Sequence, residues 1–157
     1  MKKLLVLLFL AQATFAFSQT KFENKKLALI NDIMYNTTRQ SINSFMESKG
    51  FTKGDIEEGE DDIKEILAFD TSIDMLEISY SKSNKVMTVV CIYSGAINSV
   101  FIETELKNKG YVAKAVKQSI DGKPVNKNVW SINGSKYNFV TYADEEEKIG
   151  VLGYGIY

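Results

Sequence analysis

Histidine, the side chain on which enzymes most often rely for proton transfer, is missing from this sequence. The 157-residue chain has no histidine and one cysteine, Cys91. Ser-His-Asp and Cys-His nucleophilic chemistry, histidine general bases and zinc sites built from histidine or several thiolates are therefore excluded. Neither glycine-rich phosphate loop, GxGxxG or GxxxxGKS/T, occurs. What remains is a carboxylate pair, a Ser–Lys arrangement or a carboxylate-bound metal. The carboxylates gather in two runs, residues 55–62 and 144–147. Both read as solvated turns, so no catalytic residue, metal ligand or cofactor is assigned, and a carboxylate-based enzyme ranks third among the functional readings.

The first acidic run invites a calcium loop around Gly59. With Gly59 at loop position six, Glu65 falls at position twelve, but Gly54 and Ile56 then fall at positions one and three and offer no side-chain oxygen. An EF-hand is rejected. Cys91 lies in an apolar run with β propensity, residues 86–93, and reads as a buried inert thiol, with an intermolecular disulfide as the sharper alternative. Asn36-Thr37-Thr38 and Asn133-Gly134-Ser135 match the N-glycosylation pattern, which has meaning only in a glycosylating host.

The first residues look like an address. Lys2 and Lys3 precede an apolar run at 4–10, followed by small and mixed residues to Ser18. This is the layout of a secretory signal peptide with a cut before Gln19, where Ala16 and Ser18 suit the small-residue sites. An uncleaved anchor is the alternative. The run is short for a membrane span, so no transmembrane segment is expected after cleavage, and the expected location is periplasmic or extracellular. The chain has 19 basic and 20 acidic residues. Losing Lys2 and Lys3 makes it more acidic, which argues against nucleic acid as a partner.

Two phrases punctuate the rest: Ser48-Lys49-Gly50-Phe51 and Asn108-Lys109-Gly110-Tyr111. Each closes a helical pattern. A glycine at C′ in the left-handed conformation, with an apolar contact between C″ and C3, stops a helix. Phe51 with Met46, and Tyr111 with Leu106, supply those contacts. An offset of 60 also pairs Ile42 with Ile102. The shared spacing points to a duplicated module, against the alternative of two unrelated helices with ordinary stops.

Around these stops the elements can be placed. Leu27, Ile30, Ile33 and Met34 have helical spacing within 24–35, although a short strand over 27–30 competes. Thr37 with Gln40 reads as a capping box for a second helix up to Gly50. Strands are expected at 51–56, through Leu67 and Phe69, through Leu76, Ile78 and Tyr80, and at 86–93, the last being central and covered on both faces. Asn98 or Ser99 is expected to cap a helix to Lys109. Strands at 111–120, 125–132, 137–142 and 149–157 follow, with turns at Asp121-Gly122 and Asn133-Gly134.

Helix followed by four antiparallel strands, given twice, resembles the tandem modules of β-lactamase-inhibitor-like proteins. The stretch Met34-Tyr35-Asn36-Thr37-Thr38-Arg39-Gln40-Ser41-Ile42 is similar to the turn-and-helix opening of such modules. It departs from them at Asn36, where the family usually has glycine, and it lacks their disulfides. The resemblance implies non-catalytic binding of a partner through a sheet surface and carries over no individual residue.

The expected fold is thus α+β: a signal peptide at 1–18, then helix-plus-four-strand units at 19–94 and 95–157 in one globular body, with helices on one face of the sheet. The leading function is a protein-binding or inhibitor-like exported module, with a small-ligand or lipid binder as the alternative. If Leu76, Ile78 and Tyr80 face the helices, Met75 faces away. By the same alternation Tyr137 and Phe139 face inward and Val140 and Tyr142 face outward. Gly153 and Gly155 suit close helix approach, which turns Tyr154 outward. Val140, Tyr142 and Tyr154 are the candidate binding residues, and the acidic turn at 144–147 favours a basic partner.

Overall fold

The computed structural model describes residues 20–120 and 123–156. The expected leader and the Asp121-Gly122 turn lie outside the described residues. The elements are α1 (Lys25–Asn36), α2 (Ile42–Ser48), β1 (Thr52–Glu58), β2 (Ile63–Asp70), β3 (Asp74–Ser81), β4 (Val86–Ser94), α3 (Asn98–Asn108), β5 (Val112–Ile120), β6 (Lys123–Ser131), β7 (Asn138–Asp144) and β8 (Ile149–Gly155). The fold class is α+β, with one antiparallel sheet of eight strands in the order β1-β2-β3-β4-β8-β7-β6-β5.

Local chemistry sets the helix ends. At the start of α1 the Asn24 side chain accepts hydrogen bonds from the Lys26 and Leu27 amides, which settles 27–30 as helix. The capping box expected at Thr37 and Gln40 forms one residue later. Thr38 and Ser41 bond reciprocally, amide to hydroxyl, at 2.9 and 3.2 Å. Thr37 is committed elsewhere, because its hydroxyl donates to the Ile33 carbonyl at 2.7 Å and closes α1. Asn98 and Ser99 do not cap α3; they form its first turn. The Asn98 side-chain amide instead donates to the Ser94 carbonyl, and the Ser99 hydroxyl bonds that of Tyr93 at 2.8 Å.

Both glycine stops have the expected form. Gly50 has φ +84° and Gly110 φ +88°. The amides of Phe51 and Tyr111 reach back to the Met46 and Leu106 carbonyls at 3.1 and 3.0 Å, while the glycine amides bond Glu47 and Lys107. This is the six-to-one and five-to-two pattern of a Schellman motif, with all four apolar partners buried. No atom lies within 4 Å of a Cβ built on Gly50, so a side chain there meets strain from its own backbone alone. Gly50→Val and Gly110→Val are each expected to lose about 1–2 kcal/mol. Urea unfolding reads this directly; unchanged midpoints for both variants would refute it.

Strand register then decides which side chains share a face. One row runs Phe69, Leu76, Cys91, Leu152, Thr141, Asn128 and Ala115; the next runs Leu67, Ile78, Val89, Tyr154, Phe139, Trp130 and Ala113. From Leu67 to Trp130 the apolar members of these rows form one cluster with Leu27, Ile30, Ile33, Ile42, Met46, Ile102 and Leu106 of the helices. Cys91 is buried in that cluster, and burial pushes its thiol up to about 12, which leaves it inert.

Two expectations about strands change. Residues 55–58 of the acidic run belong to β1 and leave only 59–62 as the turn. The carboxylates are tolerated because β1 is an edge strand whose side chains stay in water. The run at 86–93 is a central strand, but it is not covered on both sides: Val90 and Ile92 are half-exposed.

Candidate functional site: the sheet face opposite the core

Alternation along the strands places a second set of side chains on the face away from the core cluster. Across the middle of the sheet, Met75 lies beside Ile92, Ile92 beside Val151, and Val151 beside Tyr142. The adjacent row runs Glu77, Val90, Gly153, Val140, Val129 and Lys114. Met75, Val90, Ile92, Val129, Tyr142 and Val151 are all half-buried, and none belongs to the core cluster. The result is an apolar band, one residue tall at its centre and flanked by charge: Asp70 and Glu77 towards one end, Lys114 at the other. Glycine at 153 interrupts the band and flattens it. Side chains fixed on strands lose little freedom on binding, which suits a flat contact surface.

The three candidate residues fall differently. Tyr142 lies on this face, half-buried, and its hydroxyl donates to Asp144 at 2.8 Å. That hydrogen bond pushes the phenol upward because it holds the neutral, donating form, and the nearby carboxylate charge adds to the effect. Val140 also lies on this face but is 8% exposed, pinned between Val129 and Gly153 in the register. Tyr154 does not lie here. It is 2% exposed, stacked on Phe139 at 4.0 Å between ring centroids, and its hydroxyl meets that of Tyr35 at 2.8 Å. The correction has a simple cause. β8 presents Gly150, Leu152 and Tyr154 to the core and Val151, Gly153 and Gly155 to the other side, the reverse of the expected glycine placement. Sequence reasoning misses Ile92 because its strand is apolar at both parities and reads as covered on both faces, and it misses Val151 because the expected helix approach over Gly153 and Gly155 puts that parity inward.

Of the clefts that border the helices, two have walls that bear on chemistry. One, of about 590 Å³, holds Glu103. Its carboxylate accepts from the Asn128 amide and the Thr141 hydroxyl, and Thr141 in turn accepts from the Trp130 indole N–H at 2.9 Å. This network ties α3 to β6 and β7. The other cleft, of about 600 Å³, is walled by Tyr35, Tyr111, Tyr137 and Tyr154, with Lys136 at its edge. Among the described residues no group of histidine, cysteine or carboxylate side chains converges as a metal site. Among them, too, no helix is long and apolar enough to cross a membrane.

Comparison with protein-family models, with curated proteins and with solved structures finds no match to this chain.

Proposed function

We propose that this chain is an exported, non-catalytic module that holds a protein partner against the open face of its sheet. On this reading it consists of two helix-plus-four-strand units, 19–94 and 95–157, joined where β4 meets β8, with all helices on the core face. The mirrored strand order and the paired glycine stops support the duplication. The resemblance to β-lactamase-inhibitor-like modules points the same way. The observation that carries the functional reading is the band Met75, Ile92, Val151 and Tyr142, contiguous across the central strands, apolar, half-exposed and outside the core. Contiguous apolar surface of this kind marks interaction sites. Asp70, Glu77 and the carboxylates at 144–147 form an acidic margin, which favours a basic partner.

Val151→Lys and Tyr142→Ala test the reading. Each is expected to weaken capture of the partner from the envelope or culture fluid by about tenfold or more, equivalent to about 1.4 kcal/mol. Thermal midpoints should stay within a few degrees of the parent, since neither residue belongs to the core cluster. Full capture by both variants would exclude this face.

The tyrosine-walled cleft favours a second reading, a small-ligand binder. A ring compound that saturates the cleft and shifts the resonances of Tyr35 and Tyr137, with no protein partner found, would select it.

A further inference from the structure

The two ends of the sheet carry opposite charge, and that asymmetry has consequences for how copies of the chain meet. β1 and β5 are the edge strands, each with one row of main-chain N–H and C=O groups unused by the sheet. Along β1 and its turn stand Asp55, Glu57, Glu58 and three further carboxylates against one lysine, Lys53, all exposed. β5 carries Lys114 and Lys117, both exposed, and no acid. Among the described residues the ion pairs are Lys26–Asp74, Arg39–Glu65 and Lys64–Glu65, and none of them takes up one of these edge charges.

We propose that the chain self-associates edge to edge, with β1 of one copy pairing with β5 of the next. Charges on an edge strand ordinarily block strand addition. They do so here for β1 against β1 and for β5 against β5, where like charges would meet. Opposite signs lift the block for one combination only. The directions fit as well. Neighbouring strands alternate through all eight positions, so β1 and β5 run opposite ways. A second copy displaced along the sheet therefore presents β5 antiparallel to β1 and keeps both cores on the same side. In that arrangement Glu57 shares a face with Lys114, and Glu58 shares the other with Lys117, so cross-strand attraction acts on both faces. The two surfaces differ, so the contact is heterologous and propagates into a ring or an open row instead of stopping at a dimer.

Sedimentation velocity on the purified chain over a concentration series tests this. The weight-average sedimentation coefficient should rise with concentration and fall when salt is added, because the attraction lies between exposed charges. Lys114→Glu/Lys117→Glu and Glu57→Lys/Glu58→Lys should each remain monomeric. Their equimolar mixture should associate again, since each variant then offers the other a complementary pair of edges. Melting curves check that the variants are folded, and should a reversal unfold the chain, the Gln versions at the same positions are expected to weaken association without abolishing folding. A monomer at every concentration overturns the proposal. So do association that survives charge reversal, a dimer that does not grow, and a mixture of folded reversed variants that stays monomeric.

Discussion

Tyr154→Ala is expected to cost about 3–5 kcal/mol, the range for removing a large ring from a packed core. The ring is buried at 2% exposure, lies flat on Phe139 and touches Tyr35 and Tyr137 at centroid distances of 6.2 and 5.8 Å. Through Phe139 it connects to Phe22 and Tyr111, so one deletion opens the aromatic seam that joins α1 to β7 and β8. Tyr154→Phe separates packing from the hydroxyl bond to Tyr35 and should cost only about 1 kcal/mol. Chemical denaturation measures both. A Tyr154→Ala variant with near-parent stability would show that this ring is not part of the core, and would return it to the list of surface candidates.

The second large effect is expected at Gly150. A Cβ built there falls 2.3 Å from Cε2 and 2.4 Å from Cζ of Tyr93. That ring cannot retreat easily: it is 1% exposed, its hydroxyl is tied to Ser99, and the Lys26 ammonium lies 5.0 Å from its centroid. Gly150→Ala therefore forces either the ring or strand β8 to move. Overpacking of this kind costs about 1–3 kcal/mol, and loss of the Tyr93–Ser99 bond adds about 1 kcal/mol. The clash is specific, so it should be relieved by its partner. In the double variant Gly150→Ala/Tyr93→Leu the two losses should fall short of their sum by at least about 1 kcal/mol. Additive losses would mean that the ring and the glycine are not in contact.

These two positions also show where the sequence was readable and where it was not. Helix stops were legible because their cause is local. A glycine forced to positive φ, an aromatic after it and an apolar residue four before it define the motif within a few residues, and both copies take that form. The inward set Leu76, Ile78 and Tyr80 was legible because β3 alternates. β8 does not alternate. Ile149, Val151, Leu152 and Tyr154 are apolar at both parities, and three glycines break the pattern, so no local signal says which parity faces the core. The register with β4 and β7 decides it, and register is a long-range fact. Two glycines of β8 receive a close approach, Gly150 from the Tyr93 ring and Gly155 from the Thr88 side chain and the Met87 carbonyl; both come from the neighbouring strand β4, where the sequence points to a helix over Gly153 and Gly155. The band on the open face was hidden for the same reason. Val90 and Ile92 look like core residues in sequence, and only the sheet order shows that they have no described partner above them. Capping at Thr38 and Ser41 differed by one residue from the expected box because Thr37 had a competing acceptor in Ile33.

The open face is the centre of the functional account, and side-chain oxidation footprinting tests it most directly. Met75 and Tyr142 are reactive, half-exposed and at opposite ends of the same row on that face, while Phe101 on α3 is 64% exposed and stands away from it. With the partner bound, Met75 and Tyr142 should become protected from hydroxyl radicals and Phe101 should label as before. Protection of Phe101 with undiminished labelling of Met75 and Tyr142 would contradict the account and move the binding surface to the helices.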